Sequence, residues 1–168
     1  TIAVLCDGVG SAQEGAKAAK KVTQHIINNF KNIQKVWSIE RAIKEFIKSI
    51  NSILYSQSMH EYERPEYVTT VTVCIIKWDI IYGANVVDSR IYLQRDNKLN
   101  QLSYDHNEEG MHNVLSNAVG ISSEVEIYYF ENNVQENDKI LMCSDGLYSL
   151  MSTDTLSKNI SSGAYNIV

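Results

Sequence analysis

Proline is almost missing from this chain, occurring once in 168 residues, and glycine occurs only eight times. Collagen-like and low-complexity chains need far more of both, so neither class applies. Cysteine is scarce as well: Cys6, Cys74 and Cys143 are far apart and form no C-x-x-C pair. An odd, scattered set with apolar flanks excludes a disulfide framework and points to buried, reduced thiols in a cytoplasmic protein. No apolar run approaches the roughly 20 residues that a membrane span requires, and no basic, apolar, small-residue signal opens the chain. Positive charge is in deficit too, 15 Lys and Arg against 20 Asp and Glu for a net charge of −5. A nucleic-acid partner, which draws affinity from a basic footprint, is therefore not expected. The small Lys17, Lys20, Lys21 cluster reads as the solvated side of a helix.

What remains is an ordinary globular composition, 44% hydrophobic and 21% charged, in a length that fits one domain with a real core. Ile2 to Cys6 is an apolar run ended by Asp7-Gly8, a buried strand stopping at a turn. Ser11 with Glu14 three residues later has the form of a capping box. The helix it would start places Ala19, Val22, Ile26 and Phe30 on one side. A second helix, from about Ser38 to Met59, repeats that rhythm through Ile39, Ala42, Ile43, Phe46, Ile47, Ile50, Ile53 and Leu54. Ser56 to Glu66 is polar, holds Pro65 and reads as loop.

Beyond it the pattern changes to strands: Thr69 to Trp78, Ile80 to Val86, Arg90 to Arg95, Lys98 to Leu102, Val125 to Phe130 and Lys139 to Cys143. Asp96-Asn97 fits a two-residue hairpin turn. Leu147 to Met151 starts a short helix. Strand, two helices, then an antiparallel meander predicts an α+β fold with helices on the faces of sheets.

The chemistry lies in an echo. Ile2-Ala3-Val4-Leu5-Cys6-Asp7-Gly8 is answered by Ile140-Leu141-Met142-Cys143-Ser144-Asp145-Gly146, each a carboxylate at the end of an apolar strand with glycine behind it. Hard divalent cations such as Mg²⁺ or Mn²⁺ prefer such oxygen donors. A glycine there lets a backbone carbonyl approach and join the shell. Asn85-Val86-Val87-Asp88-Ser89-Arg90 supplies a third strand-end acid. The competing reading is an ordinary Asp-Gly turn, with Asp88 and Arg90 as a strand-end ion pair.

Cys6-Asp7-Gly8-Val9-Gly10-Ser11-Ala12, Thr69-Thr70, Asn85-Val86-Val87-Asp88-Ser89-Arg90-Ile91-Tyr92-Leu93, Gln101-Leu102-Ser103-Tyr104-Asp105-His106-Asn107 and Cys143-Ser144-Asp145-Gly146-Leu147 follow one another in an order that resembles the metal-dependent serine/threonine protein phosphatases of type 2C, above all the bacterial branch. The resemblance runs from Ile2 to about Leu150. It implies a central antiparallel β-sandwich flanked by helix pairs, and hydrolysis of phosphoserine and phosphothreonine in proteins by a metal-activated water at a two-metal centre. By position Asp7 would bridge the two metals, the Gly8 carbonyl would bind one, Asp145 would hold the other, and Asp88 would serve a third, weaker one. The cations expected are Mn²⁺ or Mg²⁺; the partners expected are a phosphoprotein substrate and a cognate Ser/Thr kinase.

There are departures from the family pattern. Its first strand, with an acidic motif and a phosphate-binding Arg, and its final Asp-Asn strand have no counterpart here. Residues 1–168 are expected to be a single type 2C-like domain lacking both, and a piece of a longer protein. Asp154-Thr155 falls in an expected helix and is no substitute for the final pair. Val9 stands where some members carry a histidine. Val68 and Val87 replace glycines, which suggests altered turns, and Ser149 replaces an aspartate of the third-metal site. Between His106 and Leu115 there is no room for a flap, and His106 reads as a turn residue. These changes keep a second reading open, a catalytically inactive pseudophosphatase that binds a phosphoprotein or a kinase.

Overall fold

The computed structural model describes residues 1–34, 36–105 and 117–162. Among them are seven strands and four helices. A four-stranded antiparallel sheet has the order β1 (Ile2–Leu5), β2 (Val71–Lys77), β3 (Ile80–Val86), β6 (Tyr128–Asn133). A three-stranded antiparallel sheet has the order β5 (Lys98–Gln101), β4 (Arg90–Arg95), β7 (Lys139–Cys143). The strand expectations hold to within two residues except at β6, and the Asp96-Asn97 turn has both residues left-handed at φ 50° and 60°, as a two-residue hairpin requires.

The long helices α1 (Gly15–Lys31) and α2 (Ile39–Tyr62) lie side by side on the first sheet. Their inward residues Ala18, Val22, Ile26, Ile43, Ile47, Ile50 and Leu54 meet Val71, Val73 and Ile75 of β2 and Ala84 and Val86 of β3. Each fully buried Ile or Leu contributes about 1.5–3 kcal/mol. The opposite face of the same strands meets the second sheet through a smaller cluster: Cys74, Ile81 and Ile91, joined by Ile76, Phe130, Ile140 and Met142. This is the expected sandwich with a helix pair outside it. On the far side α4 (Thr153–Ser161) packs against β5. The Gln94 amide of β4 donates to the Ser157 carbonyl at 2.7 Å and to both the Ser157 and Ser161 hydroxyls at 3.0 Å.

Several local expectations fail for identifiable reasons. α1 begins at Gly15, and Ser11 does not cap it; Glu14 occupies the N-cap position without a side-chain cap bond. Glu66, which is buried, holds this loop instead, its carboxylate accepting from Gln13 N–H at 2.6 Å and its carbonyl from Glu14 N–H at 3.1 Å. Ala18, not Ala19, is the buried alanine of α1. α2 runs on to Tyr62 through the stretch expected to be loop, because Ser58, one turn after Leu54, faces inward and accepts from the Glu66 and Tyr67 N–H groups at 3.2 and 2.9 Å. Ile53, expected on the apolar face, is half exposed. β6 starts at Tyr128; Val125 and Ile127 reach the helix-side core from outside any strand.

The turn expected to alter at Val87 keeps a glycine-like backbone, with φ 79° on a buried β-branched residue. Such a residue is a genuine outlier in that region, held in place by its surroundings. Val68 needs no left-handed backbone and simply joins the core. His106, His112 and the short segment to Leu115 lie outside the described residues.

Candidate metal centre

Asp7 and Gly8 follow β1 and enter the space beside α1. Gly8 forms an antiparallel bridge to Thr69, which bridges in turn to Val119. The bonds of the first bridge run from Thr70 N–H to the Asp7 carbonyl at 2.9 Å and from Val9 N–H to the Val68 carbonyl at 3.1 Å, so they leave the Gly8 carbonyl out of the ladder. Thr69 and Thr70 hold Asp7 further: the Thr69 hydroxyl donates to its carbonyl at 2.8 Å, and its N–H donates to the Thr70 hydroxyl at 3.0 Å. Gly8 is a glycine of necessity. A Cβ there would stand 2.4 Å from the Gly15 backbone carbon and 2.5 Å from its carbonyl oxygen.

The Thr70 hydroxyl also meets the Ser89 hydroxyl at 3.0 Å, and the Thr72 hydroxyl donates to the Ser89 carbonyl at 3.0 Å. Thr70, Thr72, Asn85 and Ser89 are all buried. This polar end of the inter-sheet layer ties the Asp7 strand end to the Asp88 turn. The price of a buried polar layer is that each member needs a partner.

Asp88 is half-buried, and Asp145 is exposed at the first residue of α3 (Asp145–Tyr148). Burial, and then the negative charge of Asp145, push the Asp88 carboxyl above the ordinary carboxylate range. Burial and Asp88 in turn raise the Tyr148 hydroxyl. Arg90 does not pair with Asp88, contrary to the simplest strand-end reading. It grips Asp105 with two nitrogens, at 3.0 and 2.7 Å, donates to the Tyr92 hydroxyl at 3.0 Å, and stacks under the Tyr148 ring, 3.5 Å from its centre.

The structure thus joins Asp88 to Asp145 electrostatically and Asp7 to the Asp88 turn through Thr70 and Ser89. Among the described residues no three His, Cys, Asp or Glu side chains gather closely enough to hold a metal ion by themselves. The donor chemistry still fits a hard cation. Asp7, Asp88 and Asp145 offer oxygen only, none has an ion-pair partner among the described residues, and the repulsion between Asp88 and Asp145 is what a positive charge between them would relieve. Ser149, standing where an aspartate was expected, is used locally: its hydroxyl donates to the Asp145 carbonyl at 2.5 Å. Asp154 lies in α4, as the sequence indicated.

Sequence reasoning missed Tyr148, and it left Asp105 without a role. A signal existed for the first, since Tyr148 is three residues after Asp145 and a helical turn puts both on one face. Nothing in the sequence paired Asp105 with Arg90, 15 residues away.

A family model described as protein phosphatase 2C matches residues 1–164. The serine/threonine phosphatase Stp of Listeria welshimeri is 28% identical over 172 aligned positions, covering 89% of this chain and 68% of that protein. Among solved structures, the serine/threonine phosphatase Stp1 of Staphylococcus aureus superposes with a TM-score of 0.82 at 24% identity, covering 95% of this chain and 70% of its own. The catalytic domain of the phosphatase PstP, solved with two manganese ions, gives 0.80 at 23% identity, over 95% and 74%.

Proposed function

Because the chain belongs to the protein phosphatase 2C family, we propose that Asp7, the Gly8 carbonyl and Asp145 are its metal ligands for hydrolysing phosphoserine and phosphothreonine in proteins, with Asp88 at a third, weaker site. The enzyme is a metal-dependent serine/threonine protein phosphatase. The observation that carries the site assignment is the pair of Asp-Gly strand ends, both retained within the matched span.

When bound, divalent cations lower the pKa of a coordinated water and neutralise charge on the phosphoryl oxygens. The chain's own residues do the positioning. Thr69 and Thr70 fix the Asp7 backbone, so its carboxylate leaves β1 in one direction. The bare Gly8 allows its carbonyl to face the site while α1 packs directly behind it. Asp145 stands exposed at the opening of α3, where it can meet both cation and solvent.

In this reading the cations are Mn²⁺ or Mg²⁺, residues 1–168 form one type 2C domain, and the protein acts in cytoplasmic signalling opposite a Ser/Thr kinase. No described helix is long and apolar enough to cross a membrane. The test is Mn²⁺-dependent hydrolysis of a phosphothreonine peptide by the full-length protein. Asp7→Asn and Asp145→Asn are each expected to lower kcat/KM by roughly 100-fold or more, since metal charge stabilisation supplies several kcal/mol. Wild-type turnover in either variant overturns the assignment. Tight binding of the phosphopeptide without turnover by the wild type would favour the pseudophosphatase reading.

A further inference from the structure

The loop that carries Asp7 and Gly8 is held along its length by one short segment, 66–70, that runs antiparallel to it. Thr70 N–H donates to the Asp7 carbonyl at 2.9 Å, and Val9 N–H to the Val68 carbonyl at 3.1 Å. Glu66 makes the last ties: its carbonyl accepts from Glu14 N–H at 3.1 Å and its carboxylate from Gln13 N–H at 2.6 Å. Glu66 is itself anchored, since its N–H donates to the buried Ser58 hydroxyl of α2 at 3.2 Å. Burying a carboxylate is costly unless it is paired and hydrogen-bonded. Here Gln13 N–H meets one oxygen and Arg64 Nε the other, at 2.6 Å, with Arg64 itself largely exposed.

What Glu66 fixes lies one step from Gly8. Gln13 and Glu14 lead directly into Gly15, the first residue of α1, and that helix has no side-chain cap of its own. The Glu14 carboxylate goes instead to the Tyr62 hydroxyl and to Lys17. Gly15 packs against the loop from the side opposite Thr69: a Cβ on it would stand 2.7 Å from the Val9 carbonyl oxygen and 3.1 Å from the Gly8 carbonyl carbon. Gly8 is thus pinched between its bridge to Thr69 and the backbone of Gly15, and Glu66 sets where Gly15 stands.

We propose that Glu66 is a positioning residue for the Gly8 carbonyl: by accepting from Gln13 N–H it fixes the start of α1 against the loop and so holds that carbonyl in its ligating place, a role that rests on the metal-centre reading above. Glu66 touches neither cation nor substrate; it acts through Gln13, Gly15 and Gly8. Groups that orient metal ligands typically change metal affinity about 10- to 100-fold when they are removed, and a tie acting through the backbone belongs at the lower end. Three substitutions separate its parts. Glu66→Ala removes the acceptor, Glu66→Asp keeps the charge but draws it back by one methylene, and Glu66→Gln keeps an oxygen of the same reach without the charge.

The experiment is a Mn²⁺ titration of the full-length protein, followed by the electron paramagnetic resonance signal of free Mn²⁺ well below the unfolding temperature, beside thermal unfolding in excess chelator. Asp7→Asn identifies the class of bound Mn²⁺ that depends on the loop. Glu66→Ala is expected to weaken that class about tenfold, Glu66→Asp by a smaller factor, and Glu66→Gln to stay within about threefold of the wild type, because a neutral acceptor gives a weaker bond in the same place. Every protein is folded at the titration temperature, so lost stability alone leaves the affinity unchanged. If Glu66→Ala melts earlier but binds Mn²⁺ as the wild type does, the residue is structural and the inference fails; Glu66→Asp decides the same point if the alanine protein does not fold. Glu66→Gln binding as weakly as Glu66→Ala also overturns it, since the charge and not the bond to Gln13 would then be acting. Wild-type protein that binds Mn²⁺ but does not turn over the phosphopeptide defeats the phosphatase reading alone. Mn²⁺ binding that Asp7→Asn leaves intact defeats the metal-centre reading and this role of Glu66 together.

Discussion

The two Asp-Gly strand ends share a sequence pattern and almost nothing of their setting. Asp7-Gly8 is enclosed. Thr69 and Thr70 bond its backbone on one side, and the Gly15 backbone presses against Gly8 on the other. Asp145-Gly146 is open, both residues exposed, with α3 starting at the aspartate itself. A Cβ on Gly146 would find only the Ser144 hydroxyl, at 3.8 Å. The same two residues thus solve different problems. At the first end glycine allows two backbones to touch; at the second it merely follows the carboxylate into a helix. The position of the acid is common to both ends, and the reason for the glycine is not.

The largest expected effect tests the enclosed end. Gly8→Ala places a methyl 2.4 Å from backbone atoms of Gly15 that no rotamer can move. Overpacking of this kind costs about 3 kcal/mol or more, because α1 or the Asp7 loop must shift as a whole. The displaced loop would carry Asp7 with it, so denaturant midpoint and Mn²⁺ affinity are expected to fall together. A stable Gly8→Ala protein with normal Mn²⁺ binding would show that the Gly8–Gly15 contact is slack, and the contrast between the two ends would collapse.

Thr70→Val comes next. Its hydroxyl accepts from Asp7 N–H and meets the buried Ser89 hydroxyl, so the substitution leaves the part-buried Asp7 N–H without that partner. The expected loss is about 1–3 kcal/mol, with Mn²⁺ affinity lowered more than by any isosteric change near Asp145. Thr70→Ser, which keeps the oxygen, is expected to recover most of it. If Val and Ser behave alike in chemical denaturation and in metal titration, the hydroxyl is not what holds Asp7.

Which of this was legible beforehand follows from how local the cause is. β3, β4 and β7 could be read to within a residue, because alternation and turn chemistry are written into a few neighbouring positions. The Asp7 and Asp145 strand ends were legible for the same reason. The start of α1 was not. Ser11 and Glu14 have the capping pattern, but the loop is set by Glu66, over 50 residues away, and by the Gly8–Gly15 contact. The end of α2 was hidden by its polar composition, since Ser58 points inward as an acceptor for a distant turn. Val87 shows the opposite limit: a residue that local preference forbids at φ 79° is held there by burial and by its neighbours. At the site, the Arg90–Asp105–Tyr148 assembly unites three separate segments, and no spacing rule connects them.

The smallest expected effect is the most exacting for the comparison. Gly146 occupies the second position of α3, has no left-handed backbone, is exposed and has open space where a Cβ would go. Alanine is better than glycine inside a helix by about 0.5–1 kcal/mol, mostly because the unfolded chain loses less freedom on folding. Gly146→Ala is therefore expected to leave stability unchanged or raise it slightly, and to leave Mn²⁺ affinity within about twofold, as for other surface substitutions. The sign is the informative part. Were Gly146 needed for close approach of its backbone to a cation, as Gly8 is needed for Gly15, the methyl would weaken metal binding with no loss of stability. A titration in which Gly146→Ala loses affinity tenfold while melting at or above the wild-type temperature would make the two strand ends functional equivalents after all. Unchanged affinity would confine the role of glycine to the β1 end and leave Asp145 to act by its side chain alone.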